Sequence, residues 1–490
     1  MSLQSYAVEP VHPLLAQVDP GQELAPCGLR RLVLGGGAVT AVAETVADLL
    51  SERDGETANG RRAHVVLLVD STDIRRSGED VKALVEAQLA EHFDVVRTVL
   101  DDGHQELHVV DEVLDAAAAA VADADAVVAL GGGTISDIAK VAVRRARTRD
   151  AGPVLVSVQT AASVDGYTDD VSVVLRGGVK RTVSSCWPDA VVADAETIAE
   201  APPAMNRAGF GEMTSMLVAP ADWRLASLVG TEEGYRPGAV RLLEVVGSDI
   251  DHWSPGVGTG DPEAVALLTR ALALRGIATG VAGTTAVLSG VEHLVSHMLD
   301  QYHTAHHLPM GLHGAQVGVA SVVSAAAWEM LFDRLAAESA SLDESAFDPA
   351  LARERVESAF RQVDPMGRIA AECWQDYSTK LATVTRLKGR LQGVVEEWST
   401  HEPELRALVR PSTVIASALR ATGAVVTFED LDPGVDARLA RWAVTNCALM
   451  RNRFTVVDLL TFLGWWTELD VDEVLDRARV AVAGTHGTVG

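Results

Sequence analysis

In the first part of the chain, apolar positions fall in short unbroken runs. Each run ends in glycine or aspartate and gives way to a segment of helical spacing. "LRRLVLGGGAVTAVAETVADLLSE" predicts a strand, a glycine turn and an amphipathic helix. "RAHVVLLVDSTD" predicts a buried strand ending at Asp70. "DAVVALGGGTISDIAKVAVRRART" repeats the order strand, glycines, helix, and "GPVLVSVQTAAS" is a further apolar strand running into a polar loop. Continuous apolar strands alternating with helices imply a mostly parallel sheet covered on both faces. After "DAETIAEAPPAM" the texture changes. From about Asn206 onward, Ala- and Leu-rich segments recur at helical spacing, which predicts an all-helical second part. The expected division is an irregular, Pro-containing extension over 1–26, an α/β nucleotide-binding domain over 27–203 and a helical domain over 204–490. The acidic segment 332–356 and the segment 398–411 are expected to be surface insertions or loosely packed helices.

Composition narrows the class. A chain of 490 residues exceeds one ordinary core, so two domains are expected. With 48% hydrophobic and 4% aromatic residues it reads as a soluble α/β or α-rich enzyme. The formal net charge of -27 argues against nucleic-acid or anionic-membrane partners, so an anionic substrate needs a local cationic or N–H site. Cys27, Cys186, Cys373 and Cys447 are scattered without CxxC spacing, which suggests a reducing compartment and no Cys-based zinc site. The expectation is a cytoplasmic protein. "MSLQSYAVEPVHPLL" lacks signal-peptide organisation, and no uncharged apolar run is long enough for membrane insertion.

Candidate chemistry sits in two places. Gly131, Gly132 and Gly133 follow a strand and open a helix. Glycines there let a pyrophosphate approach the backbone, and the first N–H groups of the helix attract anions. A plain tight turn explains three glycines equally well, and the spacing is not GxGxxG. Asp70 ends an earlier strand. It either accepts hydrogen bonds from an adenosine ribose, favouring NAD over NADP, or caps the next helix. The second place is "SGVEHLVSHMLDQYHTAHHLPMGLHG", which holds six of the chain's 14 histidines. His293 and His297, four apart, share one helix face.

"GGGTISDIAK", "QTAASVDGYTDDVSVV", "GGVKRTV", "PDAVVADAETIAEAPPAMNRAGFGEM", "ADWRL", "SGVEHLVSHMLD", "LHGAQVGVA" and "RNRFTVVDLL" occur in this order. Together they resemble the sn-glycerol-1-phosphate dehydrogenases, within the superfamily of iron-containing alcohol dehydrogenase, glycerol dehydrogenase and dehydroquinate synthase. The resemblance runs from about Gly35 to Leu463. It implies a dehydroquinate synthase-like fold, an α/β nucleotide-binding domain followed by an all-α domain, with NAD or NADP and a divalent metal in the cleft between them. By motif position it implies Glu212, His293 and His313 as metal ligands. Zn²⁺ is the first expectation, with Ni²⁺ or Fe²⁺ as alternatives; imidazole plus carboxylate suits such ions. It implies cofactor contacts at Gly131, Gly132, Gly133, Thr134, Asp137, Thr160 and Ser163, with Asp70 as the ribose candidate. Asp165 matches a substrate-contacting residue, and His297 a substrate contact or proton relay. His303, His306 and His307 fall between motifs and are expected to be solvated. Lys180 is read either as an anion contact or as a surface lysine.

Two positions depart from the family. Glu212 stands where the glycerol-phosphate branch has Asp; Glu at this place is the habit of the dehydroquinate synthase branch. Met216 stands where the glycerol-phosphate branch has Lys. The expected activity is metal-dependent, NAD(P)-linked interconversion of a polyol or polyol phosphate and its ketone. The alternative is a dehydroquinate synthase-like sugar-phosphate cyclase or lyase that uses NAD catalytically; net NADH production separates the two. A third reading, a binding protein that kept the fold without the metal, is met by metal analysis. The expected partners are a small polyol, ketone or sugar phosphate and further copies of the chain, as a dimer or larger homo-oligomer.

Overall fold

Each apolar run read above forms a strand. The computed structural model describes residues 6–54, 61–104, 106–147, 152–176, 179–247 and 250–484. The strands are β1 (Ala7–Glu9), β2 (Arg31–Gly35), β3 (His64–Val69), β4 (Arg75–Arg76), β5 (Glu79–Asp80), β6 (Asp94–Val99), β7 (Ala126–Gly131), β8 (Val154–Gln159), β9 (Val171–Arg176), β10 (Val179–Ser184) and β11 (Ala190–Asp194). Seven of them make one sheet in the order β1-β2-β11-β8-β7-β3-β6, and β9 with β10, and β4 with β5, form separate hairpins. All pairings in the large sheet are parallel except β1 with β2.

The chain lays β6 on one side of β3, then returns to the other side with β7 and β8. The direction of winding therefore reverses between β3 and β7. In open α/β sheets that is where ligands bind, outside the carboxyl ends of the strands. Period-2 alternation covers both faces. Val65, Leu67 and Val69 point into one core with the 42–50 and 81–89 helices, while Val66 and Leu68 point into the other with the 113–121 and 135–143 helices.

The chain divides into two compact units, Met1–Gly209 with Arg241–Gly283, and Phe210–Val240 with Thr284–Gly490. Two expectations are corrected. Residues 1–26 are not simply irregular: Ala7 pairs with Leu34 at the sheet edge, and Val11–Val18 is a helix with both end valines buried. A three-residue edge strand is too short to show a period. Nor is 204–490 one unit, because Arg241–Gly283 belongs with the sheet. The Pro262–Ala282 helix explains why. A Cβ on Gly276 would lie 2.4 Å from the Asp165 carbonyl oxygen, and one on Gly280 would lie 2.2 Å from the Trp187 ring. Glycines four apart give one helix face on which the loop and Trp187 can rest.

The second unit is helical. Its long helix His313–Ala337 is buried over most of its length. The segments expected to be loose are packed: Phe332, Val356, Phe360, Trp398 and Leu405 are buried, on helices His313–Ala337, Pro349–Phe360 and Trp398–Ala407. Their acidic residues mark only the outer faces. Among the described residues, two helices, Pro262–Ala282 and His313–Ala337, are long and apolar enough to cross a membrane. However, 72% and 89% of their apolar windows are buried inside the protein, which accounts for the composition.

Candidate metal centre and nucleotide site

Glu212 lies near the end of the Pro203–Met213 helix, and His313 is the first residue of the His313–Ala337 helix. Glycines bring them together. A Cβ on Gly211 would sit 2.2 Å from the Gly314 carbonyl oxygen, and one on Gly318 would sit 2.9 Å from the Gly211 Cα. Gly314 and Gly318, four apart, thus give the second helix a bare face on which the first rests backbone to backbone. The residues beside that crossing are the two candidate ligands.

His293 joins them from the Val291–Ala305 helix. Its Nε2 lies 3.2 Å from Glu212 Oε1, and His313 Nε2 lies 3.7 Å from Glu212 Oε2. One ligand atom from each of the three residues falls within 4.8 Å of the other two. The outer ring nitrogens set the tautomers. His293 Nδ1 donates to Glu292 Oε1 at 2.8 Å. Ser296 Oγ donates to Gln316 Oε1 at 2.7 Å and lies 3.0 Å from His313 Nδ1, which assigns that nitrogen as the donor to the hydroxyl. With a metal bound, both Nε2 lone pairs would point to the ion beside the carboxylate. Burial opposes a charge on His293, but Glu212 and Glu292 outweigh it and push its pKa up to about 9. Two imidazoles and one carboxylate converging in this way fit a divalent ion of borderline softness, with positions left open for substrate or water.

His297 stands beside the group, its ring centroid 5.8 Å from that of His313 and 6.4 Å from that of His293. Burial, then the His313 and His293 rings, holds its pKa well below the usual imidazole range. Behind His293 a second carboxyl, Asp222, accepts the N–H groups of Val291 and Val456. Burial and the nearby Glu292 push it up to about 8.

The nucleotide candidates all lie in the sheet unit. Asp70, Gly131 and Thr160 are at or just beyond the carboxyl ends of β3, β7 and β8, which are neighbours across the winding reversal. Gly132 caps the Gly133–Ala146 helix in an extended conformation, and a Cβ on it would meet nothing within 4 Å. That open space at a helix N-terminus fits a phosphate. Gly131 and Gly133 have another purpose, since a Cβ on either would strike Ile135 or Val164. Thr134 continues the first turn of this helix. Asp137 accepts the Val173 N–H, and burial pushes its carboxyl up to about 7 against the pull of Lys140. Thr160 and Ser163 lie on the loop after β8, where Asn206 Oδ1 accepts the Ala162 N–H at 3.1 Å.

Asp70 is already engaged. Its Oδ1 accepts from Thr72 N and from Lys82 Nζ, and its Oδ2 from Thr72 Oγ1. A carboxylate has about four acceptor positions, so one is left for a ribose hydroxyl. Asp165 is held by Arg275, whose Nε and Nη2 donate to Oδ2 at 3.2 and 3.1 Å. The Arg275 side chain is fully buried, and a buried cation is tolerated only when paired. Sequence reading had passed over Arg275, Lys140, Glu292 and Ser296. Lys140, also fully buried, ties its helix to the Gly166 carbonyl and to Asp169 Oδ1, both at 2.6 Å. Arg275 was signalled only as a charge in a largely apolar helix, and Lys140, Glu292 and Ser296 as further polar residues in amphipathic ones.

The sequence pattern of the iron-containing alcohol dehydrogenases matches residues 35–202. Glycerol-1-phosphate dehydrogenase, NAD(P)+, of Haloquadratum walsbyi is 36% identical over 49% of this chain and 66% of its own length. The protein of the same name from Halorubrum lacusprofundi is 32% identical over 60% of this chain and 80% of its own length. The chain belongs to the glycerol-1-phosphate dehydrogenase family. The matched region thus spans about two thirds of the first relative and four fifths of the second. Among solved structures, maleylacetate reductase from Rhizobium sp. strain MTP-10005 matches with a TM-score of 0.55 at 19% identity, over 93% of this chain and 97% of that one. That likeness shows the iron-containing alcohol dehydrogenase-like fold.

Within this family frame the remaining histidines differ from expectation in one case. His303 is buried on the Val291–Ala305 helix rather than solvated, because the helix continues past His297 and turns it inward. His306 and His307 are exposed. His306 stacks on Tyr302 with ring centroids 4.0 Å apart, and His307 has φ 53°. Alanine at either of these two positions is expected to leave metal content unchanged, with stability within about 0.5 kcal/mol of wild type. Elemental analysis and thermal unfolding check this. The Lys180 side chain falls outside the described residues.

Gly132→Val is expected to preserve the fold and weaken dinucleotide binding by more than about tenfold. Its extended backbone suits a β-branched residue, and the added side chain fills the space a phosphate needs. NAD(H) titration by fluorescence checks this, and unchanged affinity would reduce the glycines to a turn.

Proposed function

We propose that the chain is a metal-dependent, NAD(P)-linked alcohol dehydrogenase that interconverts a polyol or polyol phosphate and its ketone. The supporting observation is the convergence of Glu212, His293 and His313, each imidazole backed by a hydrogen-bond partner on its far nitrogen. When bound there, a divalent ion would supply Lewis acidity to the substrate oxygen, and a nicotinamide would exchange hydride with its carbon. Zn²⁺ is the first choice for the three ligands; Ni²⁺ and Fe²⁺ are tested beside it.

The chain's own residues do the rest. Gly132 admits the pyrophosphate to the helix N-terminus. Thr134, Asp137, Thr160 and Ser163 flank the cofactor, and Asp70 offers its remaining acceptor position to the ribose, which predicts a preference for NAD. Asp165, fixed through Oδ2 by Arg275, presents its other oxygen to a substrate hydroxyl. His297 carries the hydroxyl proton to and from solvent. Steady-state assays with dihydroxyacetone phosphate, glycerol 1-phosphate and neutral polyols, each with NAD(H) and NADP(H), test the reading. Turnover without net change in NADH would instead favour internal redox recycling.

Met216 bears on the choice of substrate. It is buried in the 3-10 turn Thr214–Leu217 and contributes no charge. We expect Met216→Lys to raise kcat/KM for phosphorylated substrates relative to neutral ones by about tenfold, the worth of one charge-assisted hydrogen bond. Efficient wild-type turnover of dihydroxyacetone phosphate would overturn the view that Met216 disfavours phosphate.

A further inference from the structure

The two candidate histidine ligands are supported differently. His313 leans on a neutral hydroxyl and amide, Ser296 and Gln316. His293 leans on a fully buried carboxylate. Glu292 Oε1 lies 2.8 Å from His293 Nδ1 and accepts the Gly290 N–H at 2.7 Å, so the side chain bends back over its own helix start. The space for this bend is built. A Cβ on Gly290 would lie 2.4 Å from Asp222 Oδ2 and 3.0 Å from Glu292 Oε2, so only glycine lets both carboxyl groups close around that position. Asp222 is fixed in turn by the Val291 and Val456 N–H groups at 3.1 and 2.8 Å. Arg453 closes the far side, donating to the Ser289 carbonyl and to Thr285 Oγ1.

A buried anion beside another carboxyl is costly. Helix capping does not require it, because Gln reaches back to an N-cap N–H as well as Glu does. What the charge alone adds falls on the His293 ring and on the buried Arg453, which Asp222 also faces as a countercharge. An anionic acceptor on Nδ1 fixes the tautomer, fixes the ring plane and makes Nε2 a stronger donor to a cation. We propose that Glu292 is a positioning residue of the metal centre, holding His293 with its Nε2 turned toward Glu212 and raising its basicity as a ligand, with Asp222 and Gly290 as its seat. This rests on the reading of Glu212, His293 and His313 as a metal site.

The conservative variant separates this role from a structural one. In Glu292→Gln the amide oxygen still accepts from Gly290 and His293, while the amide nitrogen faces Asp222 Oδ2 and relieves the crowding of two carboxyls. The fold is therefore expected to hold or gain stability while ion affinity falls. The experiment measures Zn²⁺ affinity by chelator competition, the visible absorption of the Co²⁺-loaded protein, and thermal unfolding of the ion-free protein. For wild type and Glu292→Gln, the expected result is an unchanged or higher melting temperature, Zn²⁺ affinity lower by about 10-fold or more, and a shifted Co²⁺ spectrum. Wild-type affinity and spectrum in the variant would overturn the proposal. So would a loss of affinity accompanied by a matching loss of stability, which would make Glu292 a fold residue. Failure of the wild type to bind either ion would overturn the metal reading itself, a result distinct from the other two.

Discussion

Glu212→Gln is expected to yield folded protein that holds Zn²⁺ more than about 100-fold less tightly than wild type, since outer partners of ligands alone are worth 10–100-fold. The amide nearly matches the carboxylate in shape but brings no charge. The other two ligands are neutral imidazoles when they bind metal, so Glu212 is the only anion among the three. Lewis-acid stabilisation is worth several kcal/mol, and at about 4 kcal/mol its loss corresponds to roughly a 10³-fold fall in kcat. His293→Ala and His313→Ala are expected to match it in both respects. Glu212→Asp keeps the charge and shortens the reach by one methylene, so it should retain part of the activity. Metal content by elemental analysis, turnover with the best substrate of the polyol panel, and thermal unfolding of the ion-free proteins give the readouts. Metal and turnover at wild-type levels in Glu212→Gln, His293→Ala and His313→Ala would place the centre elsewhere.

The grouping of Glu212, His293 and His313 and the glycine turn were legible because each residue sits in a short local motif. The runs that became β2, β3, β7 and β8 were legible for a related reason: a parallel strand buried on both faces is a continuous apolar run. The 7–9 strand was not, since its pairing with β2 is set by a distant partner rather than by its own pattern. The Pro262–Ala282 helix was readable as a helix but not as part of the sheet unit. Periodicity identifies a buried face and is silent about what covers it. Arg275, Gly276 and Gly280 carried that information, as a charge and two small residues in an apolar helix, and only the loop at Asp165–Thr168 and Trp187 gives them meaning. The same holds for Glu292. Beside His293 it reads as one more acidic residue in a first helical turn, and its reach back to Gly290 and Nδ1 appears only in three dimensions.

Gly211→Ala sets two general effects against each other. In a helix interior, Ala is favoured over Gly by about 1 kcal/mol, so propensity alone predicts a more stable protein. The crossing at Gly211 predicts the reverse. The added Cβ would lie 2.2 Å from the Gly314 carbonyl oxygen and 3.4 Å from the Gly318 Cα. Both neighbours are backbone of one buried helix, so no flexible side chain can move aside. Overpacking of this kind costs about 1–3 kcal/mol, which matches or exceeds the propensity gain. Relief requires the Pro203–Met213 and His313–Ala337 helices to separate. Glu212 follows Gly211 and His313 precedes Gly314, so the separation opens the distance between two ligands. Metal sites tolerate only about 0.2 Å in ligand distance. Zn²⁺ affinity is therefore expected to fall by at least about 100-fold, more than thermal stability does. Gly393→Ala provides the contrast. It lies inside the Lys388–Glu396 helix, where a Cβ meets nothing within 4 Å, and it should raise stability with metal binding unchanged. If Gly211→Ala binds Zn²⁺ like wild type and melts like Gly393→Ala, the glycine crossing does not set the geometry of the centre.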